Sequence, residues 1–92
     1  MVRGSELEEI LGSRARVRIL RHLLTVGESN ITRISRETGV HHSVARRYLE
    51  ELSRLGMVEE ISIGRMRIYR VVWSNIRVRL LKSLIESVEP GE

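Results

Sequence analysis

The sequence predicts a small α+β domain, mainly α-helical with one β-hairpin. Apolar residues recur at three- and four-residue spacing through five segments of the 92-residue chain. Near the middle the period changes to two, over "MVEEISI" and "MRIYRVVW", which only Gly64-Arg65 separates. Glycines and helix-capping residues stand between the segments. A chain of this length holds one hydrophobic core, so we treat 1–92 as a single domain.

Composition limits what the core and the chemistry can be. Hydrophobic residues make up 41% of the chain and aromatic residues 3%, with no Phe, so the core must be aliphatic. The absence of cysteine excludes disulfides, thiolate nucleophiles and Cys-based zinc or redox sites. Apolar runs are too short to span a membrane, and the N-terminal stretch carries acids where a signal peptide needs an apolar centre. We therefore expect a cytoplasmic protein.

The charge of the chain favours an anionic partner. Sixteen basic residues against 12 acidic ones give a net charge of +4 and a pI near 10.6. Lys82 is the only lysine, so the other bases are Arg, which binds phosphate bidentately. Nucleic acid is the partner that this composition indicates. Many charges and few amide side chains also suggest a thermophilic source, although genomic base composition explains an Arg bias equally well.

The first two helices are predicted from their caps. Ser5 and Glu8 resemble a capping box that opens a short helix over residues 5–11, and Gly12 ends it. Ser13 caps a second helix over residues 14–26. Its predicted core stripe is Val17, Leu20, Leu23 and Leu24, and its predicted solvent side carries Arg14, Arg18 and Arg21.

Two further helices follow, with a sharp turn at Gly39 between them. Asn30 or Thr32 caps a helix that ends at Thr38, with Ile31 and Ile34 facing inward. His41, His42 or Ser43 begins a long helix that ends at Leu55. The apolar face of this long helix consists of Ala45, Tyr48, Leu49, Leu52 and Leu55.

A hairpin and a last helix complete the chain. Gly64-Arg65 is a two-residue hairpin connection. Ser74 or Asn75 then caps a helix over residues 74–89. Its apolar positions are Ile76, Leu80, Leu81, Leu84, Ile85 and Val88.

Three helices with a tight glycine turn, followed by a basic hairpin, are the plan of a winged helix-turn-helix. "GSRARVRILRHLL" resembles the opening helix of ArsR/MarR-like winged-helix regulators. "ITRISRETGVHHSVARRYLEELSRLGMVEE" resembles their helix-turn-helix and first wing strand, and "GRMRIYRVV" their return strand. The resemblance covers residues 13 to 73, with extra helices at both ends. It implies a regulator that binds operator DNA as a homodimer. Family members often sense metals through cysteine motifs, and this chain has none.

The long helix is the predicted recognition helix, the element that contacts the bases. If its apolar face points inward, then Ser43, Arg46, Arg47, Glu50 and Arg54 must point outward. Such a helix fits the major groove of double-stranded DNA, where Arg46 or Arg47 contacts guanine and where His42 and Ser43 reach base edges or phosphate. Thr32 and Arg33 lie over the sugar-phosphate backbone of the DNA. Arg65 and Arg67 enter the minor groove or grip phosphates, while Arg70 pairs with Glu59 or Glu60.

Competing interpretations of the same residues stay open. Arg46 and Arg47 could be a solvated helix face, paired with Glu50 and Glu51. The three histidines could form a zinc site, but adjacent His41 and His42 diverge on a helix, so we predict no metal and no cofactor. No catalytic motif is present, and we predict a protein that is not an enzyme.

The end helices carry more apolar surface than one small core needs, which predicts a homodimer. The expected interface consists of Leu7, Ile10, Leu11, Ile76, Leu80, Leu81, Leu84, Ile85 and Val88. Alternatively, both helices fold back on their own core.

Two other functions fit the sequence. The winged helix could be a protein-interaction module, since the acids near the reading helix (Glu50, Glu51, Glu59 and Glu60) repel phosphate. It could also be an architectural protein that binds DNA without sequence preference. A small-molecule effector is not visible in the sequence.

Overall fold

The computed structural model describes residues 6–89 and contains five helices and a three-stranded antiparallel sheet. The elements in chain order are α1 (Glu6–Leu11), α2 (Arg14–Val26), β1 (Glu28–Asn30), α3 (Ile31–Thr38), α4 (His42–Arg54), β2 (Val58–Ile63), β3 (Met66–Val71) and α5 (Ile76–Val88). The α+β winged-helix prediction is confirmed. Ser5, the predicted cap of the first helix, lies outside the described residues.

Side-chain caps begin both helices of the helix-turn-helix, α3 and α4. Asn30, rather than Thr32, caps α3, because its side-chain oxygen accepts a hydrogen bond from the Arg33 amide at 2.8 Å. Gly39 ends α3 with φ of 73°, a conformation that side chains with a Cβ disfavour. His41 then caps α4, since its Nδ1 accepts from the Ser43 amide at 3.2 Å. The chain therefore turns sharply between the two helices.

The strand β1 was not predicted. Its sequence, Glu28-Ser29-Asn30, has no apolar alternation and three residues only. It becomes a strand because the central strand β3 pairs with it along one edge. The other edge of β3 pairs with β2, which gives the order β1-β3-β2. Tyr69 of β3 thereby lies opposite Ser29 in one register and Glu60 in the other. The hairpin itself is as predicted, with Ile63 paired to Met66 across Gly64-Arg65.

One core joins the helices to the sheet. Leu49 and Leu52 of α4 are completely buried, as the predicted apolar face requires, and Leu55 is half-buried. On α2 the buried stripe is Ile19, Leu20, Leu23 and Leu24. The assignment of Val17 to that stripe was wrong: its side chain is 38% exposed and Ile19 takes the inward position. Val17 lies at the edge of the α2 stripe, about 90° from its centre, so the core does not cover it.

Tyr48 connects α1 to the recognition helix α4. Its hydroxyl donates a 2.6 Å hydrogen bond to the backbone oxygen of Ile10, and the Arg16 guanidinium lies 5.3 Å from the centre of its ring. Burial raises the pKa of Tyr48 well above its usual value. Ile10 is itself buried. Tyr48 is therefore a core residue, as predicted.

Asn75 connects the end of α4 to the start of α5. Its side-chain oxygen caps α5 by accepting from the Arg77 amide at 2.8 Å. Its side-chain nitrogen donates to the backbone oxygens of Leu55 and Gly56, at 3.2 and 3.1 Å. The cap that the sequence left between Ser74 and Asn75 is therefore Asn75.

We expect Asn75→Ala to lower the free energy of unfolding by about 2 kcal/mol, because the variant loses a helix cap and leaves two backbone carbonyls without this donor. Urea denaturation followed by circular dichroism measures the change. Ser74→Ala is the matched control, since Ser74 is exposed and does not cap the helix. Equal stability of the two variants would contradict the connecting role of Asn75.

Candidate nucleic-acid interface

The outer face of α4 is polar and open to solvent. Ser43, Arg47, Glu50 and Arg54 recur at four- and three-residue spacing, opposite the buried Leu49 and Leu52, and all four are exposed. His42 and Arg46, also exposed, lie beside this row. In residues 6–89, Arg46 and Arg47 form no ion pair with Glu50 or Glu51. Their guanidinium groups are therefore available to an external anion.

The wing lies along one flank of α4. Tyr69 of β3 is buried, and charges of both α4 and the wing act on its hydroxyl. Burial raises the pKa of Tyr69, the Glu60 carboxylate raises it further, and the charges of Arg46 and Arg67 oppose the shift. Charged groups of α4 and of the wing therefore both influence the pKa of Tyr69.

A basic cleft opens between the start of α3 and the tip of the wing. Its volume is about 620 Å³. The residues that line it are Asn30, Ile31, Thr32, Arg33, Arg36, Ile63, Arg65, Met66 and Arg67. The cleft brings together four of the predicted contact residues, with Thr32 and Arg33 from α3 and Arg65 and Arg67 from the wing tip. The backbone amides at the N-terminus of α3 add partial positive charge beside it.

Sequence reasoning did not assign Arg36, Ile63 or Met66 to this surface. Arg36 lines the cleft; its position three residues after Arg33 places both on one face of α3 and could have identified it. Ile63 and Met66 flank the wing turn and are more than half or half exposed, at 59% and 50%. Apolar side chains at a wing tip pack against sugars or bases when they enter a minor groove.

Most acids near this surface are neutralised by arginines of the same chain. Glu51 of α4 pairs with Arg16 of α2 at 3.1 Å. In the sheet, Arg67 lies 3.8 Å from Glu60, and Arg70 lies 3.1 Å from Glu28 and 4.0 Å from Glu59. The predicted pairing of Arg70 with the first wing strand is confirmed for Glu59. Glu50 is left as the acid of α4 that has no ion pair within residues 6–89.

The histidines do not converge. The Nε2 atom of His22 lies 3.0 Å from the hydroxyl of Ser29, where burial and then Arg33 lower its pKa, while Glu37 opposes the shift. His41 is occupied in capping α4. Across residues 6–89, no three His or Glu side chains are close enough together to hold a metal ion. The zinc interpretation therefore has no geometry to support it there.

The end helices divide the predicted dimer residues into two groups. Ile10 and Leu81 are buried in the core of the monomer, and Leu11 and Ile85 pack partly against it. This placement leaves Ile10 and Leu81 little surface for a partner. The other group is exposed, and consists of Leu7, Ile76, Leu80, Leu84 and Val88. One face of α5 therefore folds back on the core of its own chain, while the opposite face stays exposed.

An apolar groove of about 320 Å³ runs beside the exposed stripe of α5, between that helix and α2. Val17 and Leu20 line it from α2, and Leu84, Ile85 and Val88 from α5. An ion pair between Arg21 and Glu89, with a 2.7 Å contact, lies at its edge. In the part of the chain that the structure describes, no helix is long and apolar enough to cross a membrane.

Many solved structures share this fold, and three of them show the similarity. HlyU from Vibrio cholerae N16961 superposes with a TM-score of 0.75 at 20% identity, covering 92% of this chain and 89% of that chain. The transcriptional repressor BigR from Xylella fastidiosa gives a TM-score of 0.72 at 17% identity, covering 95% and 89%. The AntR antimony-specific transcriptional repressor gives 0.68 at 24% identity, covering 92% and 78%.

At the level of sequence, no curated protein matches the chain. A family model does match it, over residues 16–62, from α2 to the wing. The model describes the IclR helix-turn-helix domain, and the match covers just over half of the chain. A helix-turn-helix is the DNA-binding module of transcription regulators. The chain belongs to the IclR helix-turn-helix domain family.

Proposed function

We propose that the protein is a sequence-specific regulator that binds double-stranded DNA as a homodimer. The observation that carries this proposal is that exposed arginines stand both on the outer face of α4 and around the cleft between α3 and the wing. An α-helix fits the major groove, and α4 presents Arg46 and Arg47 with no competing ion pair in the described residues. Either arginine contacts guanine O6 and N7, while His42 and Ser43 reach base edges or phosphate.

The cleft supplies the contacts to the DNA backbone. A phosphate carries negative charge that four arginines and the N-terminal amides of α3 attract. Thr32 and Arg33 hold one side of that phosphate. Arg65 and Arg67 hold the other side, or enter the adjacent minor groove from the wing tip. These contacts fix the register of α4 in the groove without reading sequence themselves.

The dimer forms through α5. Ile76, Leu80, Leu84 and Val88 repeat every four residues and are each half or more exposed, up to 70% at Val88. Val78, Leu81 and Ile85 on the other side of the same helix already face the core. A helix that is apolar on both sides has one face left for a second helix. The second copy of this chain is the occupant, and the neighbouring groove receives its side chains.

A two-fold dimer of this kind suits a palindromic operator. The two copies of α4 would then lie about 34 Å apart, one turn of B-DNA. The regulator is of the ArsR/MarR-like subtype. The helices before and after the matched segment 16–62 support this assignment. A regulator of operators works where the DNA is, which favours the cytoplasm. Charge-rich composition supports a thermophilic source.

Selection of bound sequences from a random duplex pool tests the proposal. A regulator enriches a palindrome with two half-sites about ten base pairs apart. An architectural protein binds the starting pool and the enriched pool equally well. A protein-interaction module binds neither at about 50 mM salt, where phosphate contacts are strong. The ion pairs that neutralise Glu51, Glu59 and Glu60 favour the regulator over the interaction module.

A further inference from the structure

One acid on the DNA-facing side of α4 has no counter-charge of its own. Glu50 is exposed and forms no ion pair within residues 6–89, although Arg46, Arg47 and Arg54 lie one turn or less away on the same helix. The acids around it are different, because Glu51, Glu59 and Glu60 each lie beside an arginine of another element. A carboxylate in this position would weaken binding to a polyanion unless it met a hydrogen-bond donor.

The position of Glu50 determines what it meets. It belongs to the row formed by Ser43, Arg47, Glu50 and Arg54, which points directly away from the buried Leu49 and Leu52. A helix rises about 1.5 Å per residue, so Glu50 lies roughly 4.5 Å along the axis from Arg47. Base pairs are spaced about 3.4 Å apart. Glu50 and Arg47 therefore reach adjacent base pairs when α4 lies in the groove.

Of the four bases, cytosine suits a carboxylate best. In the major groove, guanine presents two acceptors and thymine an acceptor beside a methyl group, and both repel a carboxylate. Adenine presents an amino group next to the N7 acceptor, which opposes a second negative atom. Cytosine presents its N4 amino donor with no acceptor beside it on that edge.

We propose that Glu50 is a specificity-determining residue: its carboxylate accepts a hydrogen bond from the N4 amino group of a cytosine in the target, and repels phosphates when the target is absent. The proposal rests on the proposed function, because it requires α4 to lie in the major groove. Glu50 thus lowers affinity for random DNA and raises the preference for one base. Glu50 therefore weakens the complex with random DNA, but in the specific complex its carboxylate is hydrogen-bonded to the cytosine.

The test compares Glu50→Gln with wild type and with Glu86→Gln, a matched control. Glu86 is an exposed acid of α5 without an ion pair in the described residues, so its substitution changes the net charge equally. Anisotropy at about 50 mM salt measures affinity for a random duplex, and selection from a random pool measures base preference. We expect Glu50→Gln to bind the random duplex about three- to tenfold more tightly, with the gain shrinking at high salt.

Selection separates this inference from the proposed function. We expect wild type and Glu86→Gln to enrich a cytosine next to the guanine of each half-site, and Glu50→Gln to lose that cytosine while it keeps the guanine. Glu50→Ala should lose it as well. If Glu50→Gln leaves both random affinity and the cytosine unchanged, the inference is wrong and the proposed function survives. If no variant binds any duplex, both are wrong. Unchanged melting temperatures show that each variant is folded.

Discussion

We expect Arg46→Ala/Arg47→Ala to bind its selected duplex about 100-fold or more weakly than wild type. A bidentate contact between an arginine and guanine discriminates by roughly 1–3 kcal/mol, and a second guanidinium near the phosphates adds to the loss. The double variant should also show a less steep dependence of affinity on salt, by about one unit of log–log slope for each phosphate contact removed. Anisotropy titrations at several salt concentrations measure both quantities.

The control for this variant is Arg18→Ala/Arg79→Ala. Both arginines are exposed, neither forms an ion pair in residues 6–89, and they lie on α2 and α5, outside the proposed interface. The control removes the same total charge, so it measures how much of the loss is long-range attraction. Similar losses in the two double variants, with both folded, would mean that α4 does not enter the groove.

The second large effect concerns the dimer. We expect Leu80→Glu/Leu84→Glu to convert the protein to a monomer and to weaken binding to a palindromic duplex by about 100-fold. Carboxylates on the exposed stripe of α5 would be buried against like charges of the second copy, which opposes association. Two half-sites would then no longer be bound together, and coupled binding commonly contributes a factor of about 10² to 10⁴. Sedimentation velocity and anisotropy measure the two effects.

Arg79→Glu is the matched control for the dimer variant. It changes the net charge by the same amount, from an exposed position on another side of α5. Leu80 is 63% exposed and Leu84 is 50% exposed, so the glutamates place no charge in the core of the monomer. Circular dichroism checks that the monomer keeps its helices. If the variant still sediments as a dimer, the exposed stripe of α5 is not the interface.

Sequence alone was sufficient for the elements that local patterns define. The apolar repeat and the Ser13 cap predicted α2 with its observed bounds. The same kind of repeat placed Leu49 inside and Arg46 and Arg47 outside, because the faces of a helix follow from residue spacing alone. The switch to a two-residue period on either side of Gly64-Arg65 predicted the hairpin and its two-residue connection. Each of these signals lies within about a dozen consecutive residues.

Tertiary structure decided the features that depend on distant partners. The segment Glu28–Asn30 is a strand only because β3 offers it an edge, and no property of those three residues indicates this. The pairing of Glu51 with Arg16 joins residues 35 positions apart, and it distinguishes Glu51 from its neighbour Glu50. The division of α5 into a buried and an exposed face likewise required α2 beside it. Local spacing fixes which residues share a face, but only packing determines what covers that face.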